Sequence, residues 1–174
     1  MIIRYLQIKG MPVFSQNSQE NIGQIDEIVF FKSEPKIAAF VLRKPLVEYF
    51  GSKNIIHPTD IILIAKDAIL VADEKAKIPL PEATRVQKLI DEHIFGLKQR
   101  VVTKSGQRLG IVEDIYFQSD TLEISKLIVK SIFDEKIIPA SEIIEIKKHK
   151  IVINNPEVMQ KIPKLLNEKA AIVD

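Results

Sequence analysis

Apolar positions recur along this chain at short, regular steps, and the same pattern of them occurs twice. Laid on Gly23 and Gly110, the strings IGQIDEIVFF and LGIVEDIYFQ run in step with an offset of 87. Each gives an apolar residue, the glycine, two mixed residues, an acidic pair, Ile, and an aromatic at Phe30 or Phe117. Near the end of each copy, DIILIAKDAILV (60–71) matches EIIEIKKHKIVI (142–153) with an offset of 82, which predicts an insertion or a longer hairpin in the first copy between Arg43 and Ile55. Residues 10–71 and 96–153 are therefore read as two copies of one all-β unit of about 60 residues. A unit of that size buries only about 60% of its unfolded surface, so the copies are expected to share an interface or lean on flanking helices. Each is expected to fold around its own aliphatic interior.

The first unit is predicted to open with a strand around residues 2–8, then a strand over 11–14 and a polar turn over 15–21. In the second copy that turn is 103–107 and carries Gly106, which suits a tight hairpin. In the strand that follows, Ile22, Ile25, Ile28 and Phe30 match Leu109, Val112, Ile115 and Phe117. Steps of three break strand alternation and predict a bulge near Asp26 and Glu27, and again near Glu113 and Asp114. A third strand is expected over 37–47 and 124–132, and a fourth over 54–57 and 136–139. Single helical turns follow at 58–60 and 139–142. Short hairpins (61–64 with 68–71, 143–146 with 150–153) end each unit, and a small closed barrel is the architecture that removes exposed edges.

Residues 72–81 form a charged connection, and 82–95 read as a helix with Val86, Leu89, Ile90 and His93 on one face and Gly96 at its C-terminal stop. Farther on, Asn155 can cap a helix begun by Pro156, with Val158, Met159, Ile162, Leu165 and Leu166 on its apolar side and Pro163 kinking it. The plan is all-β with minor α: a first barrel over 1–80, a linker helix over 81–95, a second barrel over 96–154 and a helical tail over 155–174.

Composition narrows the class of function. Hydrophobic residues make up 46% of 174 positions, 30 of them Ile, and Trp is absent; that is a β-branched, strand-forming interior. The 25 basic residues nearly balance the 23 acidic ones and are spread evenly, without the clustered footprint of a nucleic-acid binder. The absence of cysteine excludes disulfides and zinc thiolates and fits a reducing compartment. No secretory signal pattern and no stretch of 18 apolar residues is found, so a cytoplasmic address and no membrane span are expected.

The acidic pairs are the first candidates for chemistry, because a general acid and base are often two carboxylates. Successive strand residues face opposite sides, however, and the recurrence of the pair in both units favours a structural duty: accepting bulge amide hydrogens or pairing with a lysine. His57, His93 and His149 lie on a strand end, a helix and a turn, without a partner at ligand spacing. There is no phosphate-cradling glycine loop and no nucleophile elbow. No catalytic, cofactor-binding or metal-binding residue is assigned, no cofactor is expected, and the protein is read as not an enzyme. Two basic clusters, Lys147, Lys148, His149 and Lys150, then Lys98, Arg100, Lys104 and Arg108, lack interleaved aromatics and read as solvated hairpin tips.

The repeated pattern resembles the PRC-barrel family, the small β-barrel of the photosynthetic reaction centre H subunit and of a bacterial ribosome maturation factor. The resemblance rests on Gly10, residues 24–31 and 58–71 in the first copy, and on GLKQRVVTKSGQRLGIVEDIYF (96–117) and IIPASEIIEIKKHKIVI (137–153) in the second. The second copy is nearer the pattern; the first has a longer polar loop in place of the turn glycine and His57 where the other has Pro139. The resemblance implies a non-catalytic binding or scaffold module, with no catalytic residues to carry over. A protein partner, a second copy of the chain included, is the favoured reading. The alternative is an RNA- or ribosome-associated assembly factor, although neither the reaction centre subunit's membrane helix nor the ribosome factor's separate N-terminal domain is seen.

Overall fold

The protein is described from a computed structural model that covers residues 1–43, 51–154 and the backbone of 160–161. In chain order the elements are β1 (Ile2–Arg4), α1 (Tyr5–Ile8), β2 (Pro12–Ser15), β3 (Asn21–Phe30), β4 (Ile37–Leu42), β5 (Asn54–Ile56), β6 (Ile61–Ile64), β7 (Ile69–Val71), β8 (Ile78–Pro79) and α2 (Thr84–Asp91). The second half adds β9 (Arg100–Thr103), β10 (Arg108–Gln118), β11 (Ile124–Lys130), β12 (Glu135–Pro139), β13 (Ile143–Lys147), β14 (Lys150–Ile153) and β15 (Gln160–Lys161). Short 3-10 turns at Pro58–Asp60 and Ala140–Glu142 occupy the two predicted positions.

Two curled sheets result, with strand orders β6-β7-β2-β3-β4-β5-β8 and β13-β14-β9-β10-β11-β12-β15. They are copies of each other down to the parallel pairing of β2 with β7 and of β9 with β14. Neither ladder closes on itself among the described residues, so the closed barrel expected from the strand count is, at the level of backbone pairing, a half-barrel with free ends. The predicted bulges are present: register slips between Ile25 and Glu27 and between Val112 and Asp114, so Asp26 and Glu113 are the inserted residues.

Other expectations also need correction. The first unit's opening strand stops at Arg4 and turns into α1, and β1 pairs with β10 of the other sheet. The left-handed residue that ends α2 is His93 (φ +55°), two positions beyond the helix. Gly96 instead lies where a Cβ would meet Ile115 Cδ1 at 2.7 Å and Ile28 Cγ1 at 2.8 Å. The structural counterpart of Gly10 is Lys98: both hold positive φ, and their amides donate to the carbonyls of Ile25 and Val112, which share a position in the repeat. Of the predicted helical tail, residues 160–161 form a strand against Lys136 and Ile137, the counterpart of β8 on Asn54 and Ile55; its other residues, like most of the predicted insertion after Arg43, lie outside the described ones.

A further correction concerns the core. One contiguous cluster of buried residues runs through both halves, from Ile3 and Tyr5 to Ile151 and Ile153. The halves are joined by reciprocal exchange. β1 pairs with β10 through Ile3 and Phe117, and the segment before the second unit answers it, Phe95 bridging Val29 while the Phe30 amide donates to the Ile94 carbonyl (3.2 Å). The β3–β4 and β10–β11 connections pair likewise: Ile37 N donates to Leu122 O (3.1 Å) and Ile124 N to Pro35 O (2.7 Å). Those bonds are related by a pseudo-twofold axis, since Ile37 matches Ile124 and Pro35 matches Leu122 in the repeat.

The outer faces differ, and the sequence shows why. Every residue of β4, IAAFVL, is buried, because α2 packs Val86, with Leu80 and Ala83 before it, over Val29, Ala39, Val41 and Ile55. A strand covered on both faces reads as a continuous apolar run. Its counterpart β11, ISKLIVK, places Lys126 on that face, 4.5 Å from the ring centroid of Tyr116; cation–π contact suits a face left partly to water.

Candidate functional site

The turn between β11 and β12 is closed by its own polar ends. Ser131 N and Oγ both donate to the Asp134 carbonyl (2.8 and 3.1 Å), and Asp134 N donates back to Ser131 Oγ (3.1 Å). That closure turns Ile132 and Phe133 outward, 92% and 85% exposed. Two adjacent large apolar side chains in water are unfavourable by roughly 1.5–3 kcal/mol each relative to full burial. They stand over an open groove of about 730 Å³ whose apolar floor is Leu109 and Ile111 and whose rim carries Arg108, Lys130 and Lys136. Glu113 also lines it, with its carboxylate engaged by Lys98 Nζ at 3.1 Å to both oxygens. Such a site can take up an apolar side chain with carboxylates beside it.

The acidic pairs are dispersed into structural roles. Asp114 is buried; its Oδ2 accepts from Arg4 Nε (2.7 Å) and its Oδ1 from the amides of Ile115 (2.8 Å) and Leu6 (3.2 Å). The hydrogen bond to Asp114 raises the Arg4 pKa, so that guanidinium stays charged. Asp26 stands 4.0 Å from Lys53, and Glu113 faces Lys98. Tyr5 donates its hydroxyl to the Asp26 carbonyl (3.0 Å), and burial, with the charges of Glu27 and Asp26, pushes its pKa well above the ordinary tyrosine value. A phenol so held is poorly suited to shuttling protons at neutral pH.

The basic clusters are partly neutralised within the fold. Lys147 pairs with Glu145 (2.9 Å), and of the second cluster Lys98 is taken by Glu113 while Arg108 joins the groove rim. Among the histidines, His57 precedes a 3-10 turn, whereas His93 and His149, 56 positions apart in the chain, come together with ring centroids 4.6 Å apart. No helix among the described residues is long and apolar enough to cross a membrane.

A family model matches the two halves separately, over residues 1–78 and 97–160, and its description is "PRC-barrel domain". The chain belongs to the PRC-barrel family. The two matched segments agree with the duplication read from Gly23 and Gly110 and with the paired strand orders. The chain is also similar to a Bacillus subtilis (strain 168) protein described as "Uncharacterized protein YrrD", at 24% identity over 157 residues, which covers 85% of each chain.

The exposed pair on this PRC-barrel scaffold escaped the sequence reading because the third strand of the second unit was drawn through Ile132. The signal was present in Ser131-Ile132-Phe133-Asp134: a serine hydroxyl can close a turn by bonding the backbone three residues on, and whatever lies between points out. The meeting of His93 and His149 had no local signal at all.

Proposed function

We propose that this PRC-barrel protein is a non-catalytic binding module of the cytoplasm whose second sheet docks an apolar, acid-flanked segment of a protein partner. The observation that carries the reading is the exposure of Ile132 and Phe133 at the lip of a groove rimmed by Arg108, Lys130 and Lys136. Contiguous exposed apolar surface bounded by polar groups is the mark of an interaction site, and like-signed rim charges select the sign of the partner. The family's general use as an assembly module agrees with it.

A photo-crosslinking residue placed at position 133 of the tagged protein in its own host tests the proposal. The expected result is an adduct with one defined protein that disappears in the Ile132→Asp variant and weakens when Arg108 and Lys136 are changed to Glu. An adduct with RNA in place of protein would favour the assembly-factor alternative. Adducts indifferent to Ile132→Asp would overturn the reading.

A further inference from the structure

The end of α2 and the turn between β13 and β14 each present a histidine in an unusual backbone state, His93 at φ +55° and His149 at φ +61°. Each backbone state belongs to its turn, the stop of α2 for His93 and the β13–β14 hairpin for His149, and the two turns bring the side chains together. Their rings meet edge to face at 61°, with centroids 4.6 Å apart. Two imidazoles sharing one ion at metal–nitrogen distances of about 2.0–2.1 Å have centroids about 4.5–5.5 Å apart.

From this geometry we infer that His93 and His149 bind a divalent transition-metal ion of the zinc or nickel type, stapling the end of α2 to the β13–β14 turn. Two further features point the same way. The ring Nδ1 of His93 lies 3.2 Å from the Ile90 carbonyl; a carbonyl only accepts, so Nδ1 carries the hydrogen and Nε2 keeps its lone pair, the arrangement that orients metal-bound histidines. Gln99 lines the same cavity of about 420 Å³, is 4% exposed, and donates Nε2 to the His93 carbonyl (2.7 Å), while its Oε1 is buried without a hydrogen-bond partner. A buried acceptor left without a partner calls for an explanation, and a group bound in the cavity that Gln99 lines would supply one.

The charges around the pair come from several elements. Lys9 and Lys98 line the cavity, Lys98 neutralised by Glu113, and Glu27 places a carboxylate there. Lys148 and Arg100 also act on His149 from its own turn and from the start of β9. No group of three or more His, Cys, Asp or Glu suited to a metal occurs among the described residues, so the ion keeps open positions for water. Imidazole ligands suit zinc, nickel and copper over magnesium or calcium.

Calorimetric titration of the full chain with Zn²⁺ and with Ni²⁺ at pH 7.5 tests the site, alongside His93→Asn, His149→Asn and His57→Asn; asparagine tolerates the left-handed backbone of the first two. One ion per chain is expected, weakened about tenfold or more in each of the first two variants and unchanged in the third. In NMR spectra, the ring protons of His93 and His149 should shift or broaden together. Binding that survives either substitution, falls with His57→Asn, or is absent from the unaltered chain overturns the assignment.

Discussion

Arg4 and Asp114 lie 110 positions apart in the chain, yet Arg4 Nε and Asp114 Oδ2 are 2.7 Å apart. The contact is possible because β1 leaves its own unit to pair with β10. Asp114 is the more committed partner, 3% exposed at its side chain against 47% for Arg4, and it also accepts the Leu6 and Ile115 amides. Asp114→Ala therefore leaves two backbone amides without their acceptor, as well as removing the partner of Arg4, and should destabilise by about 3 kcal/mol. Arg4→Met removes a half-solvated partner and should cost only about 1–2 kcal/mol. Urea denaturation of the two variants checks the order; equal costs would mean that the amide hydrogen bonds donated to Asp114 carry nothing.

The bulged strands make a second comparison possible. A Cβ on Gly110 (φ +146°) would lie 2.4 Å from the Lys130 carbonyl oxygen, a backbone atom fixed in the β10–β11 ladder. At the repeat's equivalent, Gly23, the nearest atom is Leu42 Cδ1 at 2.9 Å, the movable end of a side chain. Gly110→Ala is expected to cost about 3 kcal/mol or more and Gly23→Ala about 1–2 kcal/mol. Thermal or urea unfolding of the pair measures the difference, and the opposite order would contradict the packing described here.

What could be read from the sequence was whatever the repeat encodes locally. The steps of three through Ile25, Ile28 and their counterparts marked the bulges, and Pro58 and Pro139 marked the 3-10 turns. Exchange between the units was invisible, because Ile2-Ile3-Arg4 reads as a strand whichever sheet receives it; pairing partners are a tertiary choice that periodicity does not carry. The stop of α2 was misplaced for a related reason. Glycine is the usual left-handed residue, but Gly96 is needed where Ile28 and Ile115 close in, which leaves His93 to take the turn. At the candidate groove, Arg108 was legible as a member of a basic cluster, whereas Lys130, Lys136 and the arrangement of all three around Leu109 and Ile111 were not.

The reciprocal exchange makes the halves dependent on each other. Separated fragments 1–95 and 96–174 would each lose a strand or bridge partner, the paired connections at Ile37 and Ile124, and continuity of the shared core. Units of this size have little stability to spare. Circular dichroism should show each fragment alone melting without a cooperative transition, and an equimolar mixture recovering one. Two cooperative transitions in the separate fragments would mean that the shared core is only a contact between self-sufficient units.

His149 provides a pH-dependent readout of the same seam. Partial desolvation, followed by the electrostatic influence of His93, Lys148 and Arg100, lowers its pKa from the ordinary 6.5. With the folded value below the unfolded one, both states are neutral above about pH 6.5 and the group contributes no slope there. As the pH falls through that value the unfolded chain takes up the proton first, so folding stability declines until the folded value is passed. Denaturation midpoints measured from pH 7.5 to 5 should show a decline that is shallower in His149→Asn. An NMR titration of the His149 ring should give a midpoint below 6.5 that moves upward with added salt, since the charge contributions are screened. A midpoint at or above the ordinary value would show that the turn and the end of α2 do not approach each other in solution as they do in the structure.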